Sequence, residues 1–218
     1  MRLIEDLRQE HELIERVVGS LRAFVTARLA DQGDPADGAR FLDFFRRYAG
    51  DFHHDKEELV LFQALSERAE LPADRGPLAA LAGEHRRMGG LLDAMEGLLG
   101  APLEADRLHL QSLVVDYSRS LWKHIDAENS VLFPEGQERL RRFHILELPS
   151  RPMTGAEASA REAGLALVLR YSPQYDPEVH RGDGCIACPS YGQTCEGLER
   201  EWWTDLEWED MRERMGSD

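Results

Sequence analysis

The chain has 218 residues, 42% hydrophobic and 31% charged, enough for one folded domain with an appendage. No apolar run is long enough to span a membrane, and the start Met1–Leu7 lacks the basic-then-apolar pattern of a secretory signal, so a cytoplasmic protein is expected. A formal charge of −15 argues against nucleic acid or an anionic membrane as the main partner and suits metal cations, while three cysteines confined to 185–195 fit a reduced compartment better than a disulfide framework.

Five helical segments are read along the chain, with few plausible strands. The first covers about 3–29, where Leu7, His11, Ile14, Val18, Leu21 and Val25 recur at steps of four and three. A turn rich in Asp, Gly and Pro at 31–38 leads to a second helix at about 39–69, built on Leu42, Phe45, Ala49, His53, Glu57, Val60 and Ala64. Pro77 opens a third, whose stripe is Leu78, Leu81, His85, Met88, Leu92, Met95 and Leu99. After Gly100-Ala-Pro102 a fourth runs at about 103–133 with Leu110, Val114, Tyr117, Leu121, His124, Glu128 and Val131; Pro134 is expected to kink or stop it, with a further helical turn or two at 135–147. Short connections between four amphipathic helices imply an all-α, up-down-up-down four-helix bundle over 1–148. A C-terminal helical and irregular extension at 149–218 follows, in which Thr154 and Glu157 form a capping box for a fifth helix at about 155–170.

Each of the four stripes carries a histidine where leucine would be expected, although histidine makes up only 8 residues of the chain. Two of them, His53 and His124, are followed four residues on by Glu57 and Glu128, which places each pair on one helix face, one turn apart. Antiparallel packing sets His11 level with His53, and Glu57 level with His85; His124 stands deeper, as if the fourth helix starts late. Unpaired imidazoles and carboxylates in a core are costly, and a bound cation removes most of that cost. Mixed nitrogen and carboxylate donors suit iron or manganese better than structural zinc. The plainer alternative is a set of buried histidine–glutamate hydrogen bonds with no ion.

The segments Phe52-His-His-Asp-Lys-Glu-Glu-Leu-Val-Leu-Phe62 and His124-Ile-Asp-Ala-Glu-Asn-Ser-Val-Leu-Phe-Pro134 resemble the paired signatures of the hemerythrin-like (HHE cation-binding) family, with His85 and His11 completing the pattern over roughly 1–145. Aligning Leu61-Phe62 with Leu132-Phe133 matches His53 to His124 and Glu57 to Glu128. The resemblance implies a non-haem centre of two irons bridged by Glu57 and Glu128, with His11 and His53 on one iron and His85 and His124 on the other. Oxygen-carrying members place a second histidine four residues after the one matching His85; here that position is Gly89, so one iron is expected to lack a nitrogen ligand and to hold an open or water-filled position. His54, Glu58 and Glu15 are the nearest spare ligands and are read as surface or supporting groups, and Tyr117 as core packing with a hydroxyl available to the site.

Further on, His180, Cys185, Cys188 and Cys195 have metal-ligand spacing. Three readings stay open there: reduced thiols in a loop, a three-cysteine, one-histidine zinc site, and an iron–sulfur cluster or redox thiol pair. The acidic, tryptophan-rich tail at 199–215 either packs on its own chain or offers a surface to a protein partner. The functional expectation is a protein that binds, senses or reacts with oxygen, peroxide, nitric oxide or iron itself, with iron storage or delivery and a di-iron oxidoreductase as alternatives.

Overall fold

The computed structural model describes residues 1–99 and 106–179, and every regular element among them is a helix. Helix α1 is Arg2–Leu29. Helix α2 begins as Ala36–Asp43, passes through two π-helical stretches at Phe44–His54 and Glu57–Phe62, and ends as Gln63–Ala69. Helix α3 is Gly76–Leu99. Helix α4 runs Arg107–Ala127, continues through a π stretch at Glu128–Leu132 and finishes as Phe133–Arg142. Helix α5 is Gly155–Arg170. No described helix is long and apolar enough to cross a membrane.

Helices α1 to α4 make the four-helix bundle: α4 lies against α1 and α3, and α2 against α1 and α3. Pro134 does not stop α4, one of the two outcomes expected of it, and the helical turns expected beyond it are present within Phe133–Arg142. The Phe133 N–H bonds to the Glu128 carbonyl, five residues back, so the ladder has already widened where the proline ring enters. The proline then sits in the first turn of the continuing segment, where its missing N–H is tolerated. That extension is used: Arg139, buried on it, donates from Nε to the Ala69 carbonyl at 2.6 Å and from Nη2 to that of Glu70 at 3.2 Å, capping the end of α2.

The apolar stripes meet in two clusters. One gathers Ile14, Leu21, Phe24, Phe45, Met88, Leu92, Tyr117 and Leu121. The other gathers Leu3, Leu7, Leu61, Leu78, Leu81, Leu132 and Phe133. Along each of the four bundle helices the switch from one cluster to the other falls at or just past the stripe histidine, so the bundle has a polar layer between two greasy halves.

Helix α5 starts on the expected capping box, with Glu157 N–H donating to Thr154 Oγ1 at 3.3 Å and Thr154 N–H to Glu157 Oε2 at 2.6 Å. It packs on α1 and α2 and adds Ala160, Leu167, Val168 and Tyr171 to the first cluster. Gly164 lies directly on the Phe44 ring, and a β-carbon there would overlap it. The chain then runs back over α1, where the Gln174 N–H reaches the Gly19 carbonyl at 3.0 Å. Buried Asp176 follows, accepting from Arg119 Nε at 2.7 Å and pairing with Arg22 at 3.4 Å.

Candidate metal centre

All six residues singled out as ligands face the polar layer. His11, His53, Glu57 and Glu128 form one set, and His54, Glu57, His85 and His124 a second; within each set the ligand atoms lie within 4.8 Å of one another. Glu57 belongs to both. Its Oε1 stands 3.2 Å from His53 Nε2 and 3.7 Å from His11 Nε2, while its Oε2 stands 3.5 Å from His85 Nε2. Glu128 Oε2 is 3.3 Å from both His11 Nε2 and His124 Nε2, so it too spans the sets. Two ligand atoms each about 2.0–2.2 Å from one ion come to lie roughly this far apart.

The chemistry of the layer fits a cation. Glu57 Oε1 and Oε2, Glu128 Oε1 and Oε2, and His11 Nε2 are buried with no hydrogen-bond partner. Atoms left so cost on the order of 1–3 kcal/mol each unless something positive sits among them. Absent a metal, the carboxylates recruit a proton. Burial alone would lower the His11 imidazole, but the Glu128 and Glu57 carboxylates beside it outweigh that and push it up to about 10. Burial would likewise raise Glu57, yet the imidazoles of His53 and His11 hold it well below the usual carboxylate range.

The four stripe histidines are also aimed. His53 Nδ1 donates to Glu10 at 2.9 Å, His124 Nδ1 to Glu84 at 2.9 Å, His85 Nδ1 to Glu58 at 2.6 Å, and His11 Nδ1 to the Asn129 side-chain oxygen at 3.1 Å. Fixing the proton on Nδ1 leaves the Nε2 lone pair directed inward, the arrangement that orients metal-binding imidazoles. Glu10 also accepts from the buried Lys56 ammonium, which lies 4.2 Å from the centre of the Phe52 ring. Sequence reasoning missed Glu10, Glu84 and Asn129 and read Glu58 only as a supporting group. A signal exists, however: an acid precedes the histidine in both Glu10-His11 and Glu84-His85, and Glu58 and Asn129 each follow a shared glutamate.

His54, read from the sequence as a surface or supporting group, brings a further ring nitrogen to the second set. Successive side chains in an α-helix point about 100° apart, which turns His54 off the stripe of His53. The π stretch ending at His54 has wider turns and a smaller angle between neighbours, and both rings reach the layer. His54 joins the set of His85 and His124, stacked on the His85 ring at 3.8 Å between centroids. Desolvation and the neighbouring His85 hold its imidazole well below the usual histidine value, which favours the neutral ring with one nitrogen lone pair able to bind a cation.

Beside His54 and His85 lies a cleft of 720 Å³ between α2 and α3. Gly89 lines it, and a β-carbon there would meet nothing within 4 Å. Tyr117 forms part of the inner wall, edge-on to Phe45 at 5.1 Å, with no hydrogen bond to its hydroxyl among the described residues. Glu15 is in neither set. The residues His180, Cys185, Cys188 and Cys195, and the tryptophan-rich tail, lie outside the described residues.

Residues 2–135 match the family model of the hemerythrin HHE cation binding domain. No curated protein and no solved structure matches the chain.

Proposed function

The chain belongs to the hemerythrin HHE cation-binding family, and from that premise we propose that it is a non-haem protein with two irons that binds a small oxygen- or nitrogen-centred ligand. The observation that carries this reading is Glu57, a fully buried carboxylate with one oxygen toward each histidine set. One carboxylate divided in this way suits two adjacent ions better than one.

Iron, when bound, supplies reversible electron changes and an exchangeable position for such a ligand. The chain's own residues do the rest. Glu10, Glu58, Glu84 and Asn129 hold the proton of each stripe imidazole on Nδ1. Phe133, stacked on His11 at 5.5 Å, and Phe62, stacked on His85 at 6.2 Å, shield the layer from the side of the second cluster. Leu121 and Ile125 do so from the other. Glu57 and Glu128 bring negative charge that offsets that of the ions, in a place where water is scarce.

Loading the reduced protein with iron anaerobically, then adding oxygen, peroxide or nitric oxide under spectroscopic observation, tests the reading. A stable adduct assigns binding or sensing. Consumption of the ligand assigns an oxidoreductase. Iron that passes to a chelator without any spectral response to these ligands assigns storage or delivery, and absence of iron binding overturns the proposal.

A separate ion at His180, Cys185, Cys188 and Cys195 is proposed on spacing alone. Because Leu167, Tyr171 and Val179 pack on the bundle, a chain ended after Val179 is the fitting truncation. It should keep its iron and lose zinc, and zinc absent from the full chain would dismiss the idea.

A further inference from the structure

Five histidines reach the layer, and they are not held alike. His11, His53, His85 and His124 each have Nδ1 fastened to an oxygen of a neighbouring side chain. His54 has no hydrogen bond and no ion pair among the described residues; only ring contacts, chiefly the stack on His85, locate it. An imidazole fastened at Nδ1 is pre-aimed at a metal, whereas one without that bond gives up little when it turns away.

His54 also has somewhere to go. It is partly exposed and lines the cleft between α2 and α3, together with Gly50, Met88 and Gly89. By contrast His11 and His53 are each 1% exposed, and Glu57 and Glu128 are fully buried. Neither helical glycine is demanded by packing. A β-carbon at Gly89 would meet nothing within 4 Å, and one at Gly50 only the Phe45 carbonyl at an ordinary 3.5 Å. Glycine in a helix interior costs about 1 kcal/mol relative to alanine, so both helices give up stability and leave the inner end of the cleft clear.

We propose that His54 is an exchangeable ligand: its ring turns into the α2–α3 cleft, and a small external donor, a diatomic molecule or an azide-sized anion, takes the position it leaves beside His85 and His124. The inference rests on the two-metal reading above. The set of His11 and His53 stays closed to external ligands, because all four of its members are buried.

The test uses the full chain loaded with iron, with azide as the probe, followed by absorption titration and stopped-flow mixing. The iron content of the wild type examines the underlying reading by itself; a wild type without iron removes both. With about two irons bound, His54→Ala should retain them and bind azide roughly tenfold more tightly or better, since the ring no longer competes for the position. Added imidazole should reverse that gain. Gly89→Phe, which fills the inner cleft, should slow azide association roughly tenfold at unchanged iron content. Loss of one iron in His54→Ala would make His54 a permanent ligand and overturn the proposal. Azide affinity and association rate unchanged in both variants would overturn it as well, by placing the exchangeable position elsewhere.

Discussion

His11 and His53 stand on one side of Glu57, and His85 and His124 on the other, and the two pairs are assembled alike. In each, one helix contributes an acid followed by a histidine, and its neighbour a histidine followed four residues on by a glutamate. In each, the acid of the first helix orients the histidine of the second: Glu10 holds His53, and Glu84 holds His124. The two motif copies differ at four positions, with Lys56 against Ala127 and Leu59 against Ser130 as two of them, and two more touch the layer. His54 on α2 matches Ile125 on α4, and Glu58 matches Asn129. Ile125 is 1% exposed and fills the apolar cluster, whereas His54 opens on a cleft. His54, from the copy that supplies His53, thus reaches across to the set of His85 and His124 and gives that half its access, where the other copy has only a hydrocarbon.

Substitution at the shared residue should abolish the comparison altogether. Glu57→Ala should take iron from about two per chain to near none, because both sets lose a donor. His53→Ala and His124→Ala, each confined to one half, should leave about one. Elemental analysis of the three proteins decides this, and two irons in Glu57→Ala would break the scheme.

Next in size is an asymmetry of stability. Glu10→Ala strands the buried Lys56 ammonium, a change expected to cost about 3–5 kcal/mol in the metal-free protein. Glu84, whose side chain is 40% exposed, should cost no more than about 1 kcal/mol when replaced by alanine. Denaturant titration of both variants measures the difference.

The closed half should also give the metal-free protein a pH signature. The His11 imidazole is raised from 6.5 to about 10, so the stability it contributes is complete below 6.5 and is lost as pH rises through about 10. Melting temperature should therefore fall across that window. Iron must displace the same proton, so iron affinity should rise with pH over the range in which the apo-protein weakens. Melts with and without iron, run at matched pH, compare the two slopes. The smallest effect belongs to the open half: Gly89→Ala should stabilise the chain by about 0.5–1 kcal/mol with iron content unchanged.

Much of this arrangement is legible in the sequence because polar residues on an apolar stripe stand out. His11, His53, His85 and His124, with Glu57 and Glu128, interrupt leucine periodicities that otherwise specify the four helices, and the capping box of Thr154 announces α5 directly. His54 is not legible by the same rule, because ideal helical geometry turns it away and nothing in its neighbours' identities reveals the π stretch that turns it back. The π stretch at Glu128–Leu132 hides in the same way, and with it the device that joins α4 without a break to the helical turns expected after Pro134. Glu10, Glu84 and Asn129 sit beside the stripes, where acids and amides are ordinary surface residues. Only the positions of their neighbours' imidazoles give them a role.

In the proposed function, Glu57 joins two ions held by opposite halves of one layer. X-ray absorption at the iron edge of the oxidised, fully loaded wild type tests it most directly. An iron–iron scattering shell, with mixed nitrogen and oxygen ligation and about two irons per chain, is expected. One iron per chain, or two with no iron–iron shell in the spectrum, would contradict it.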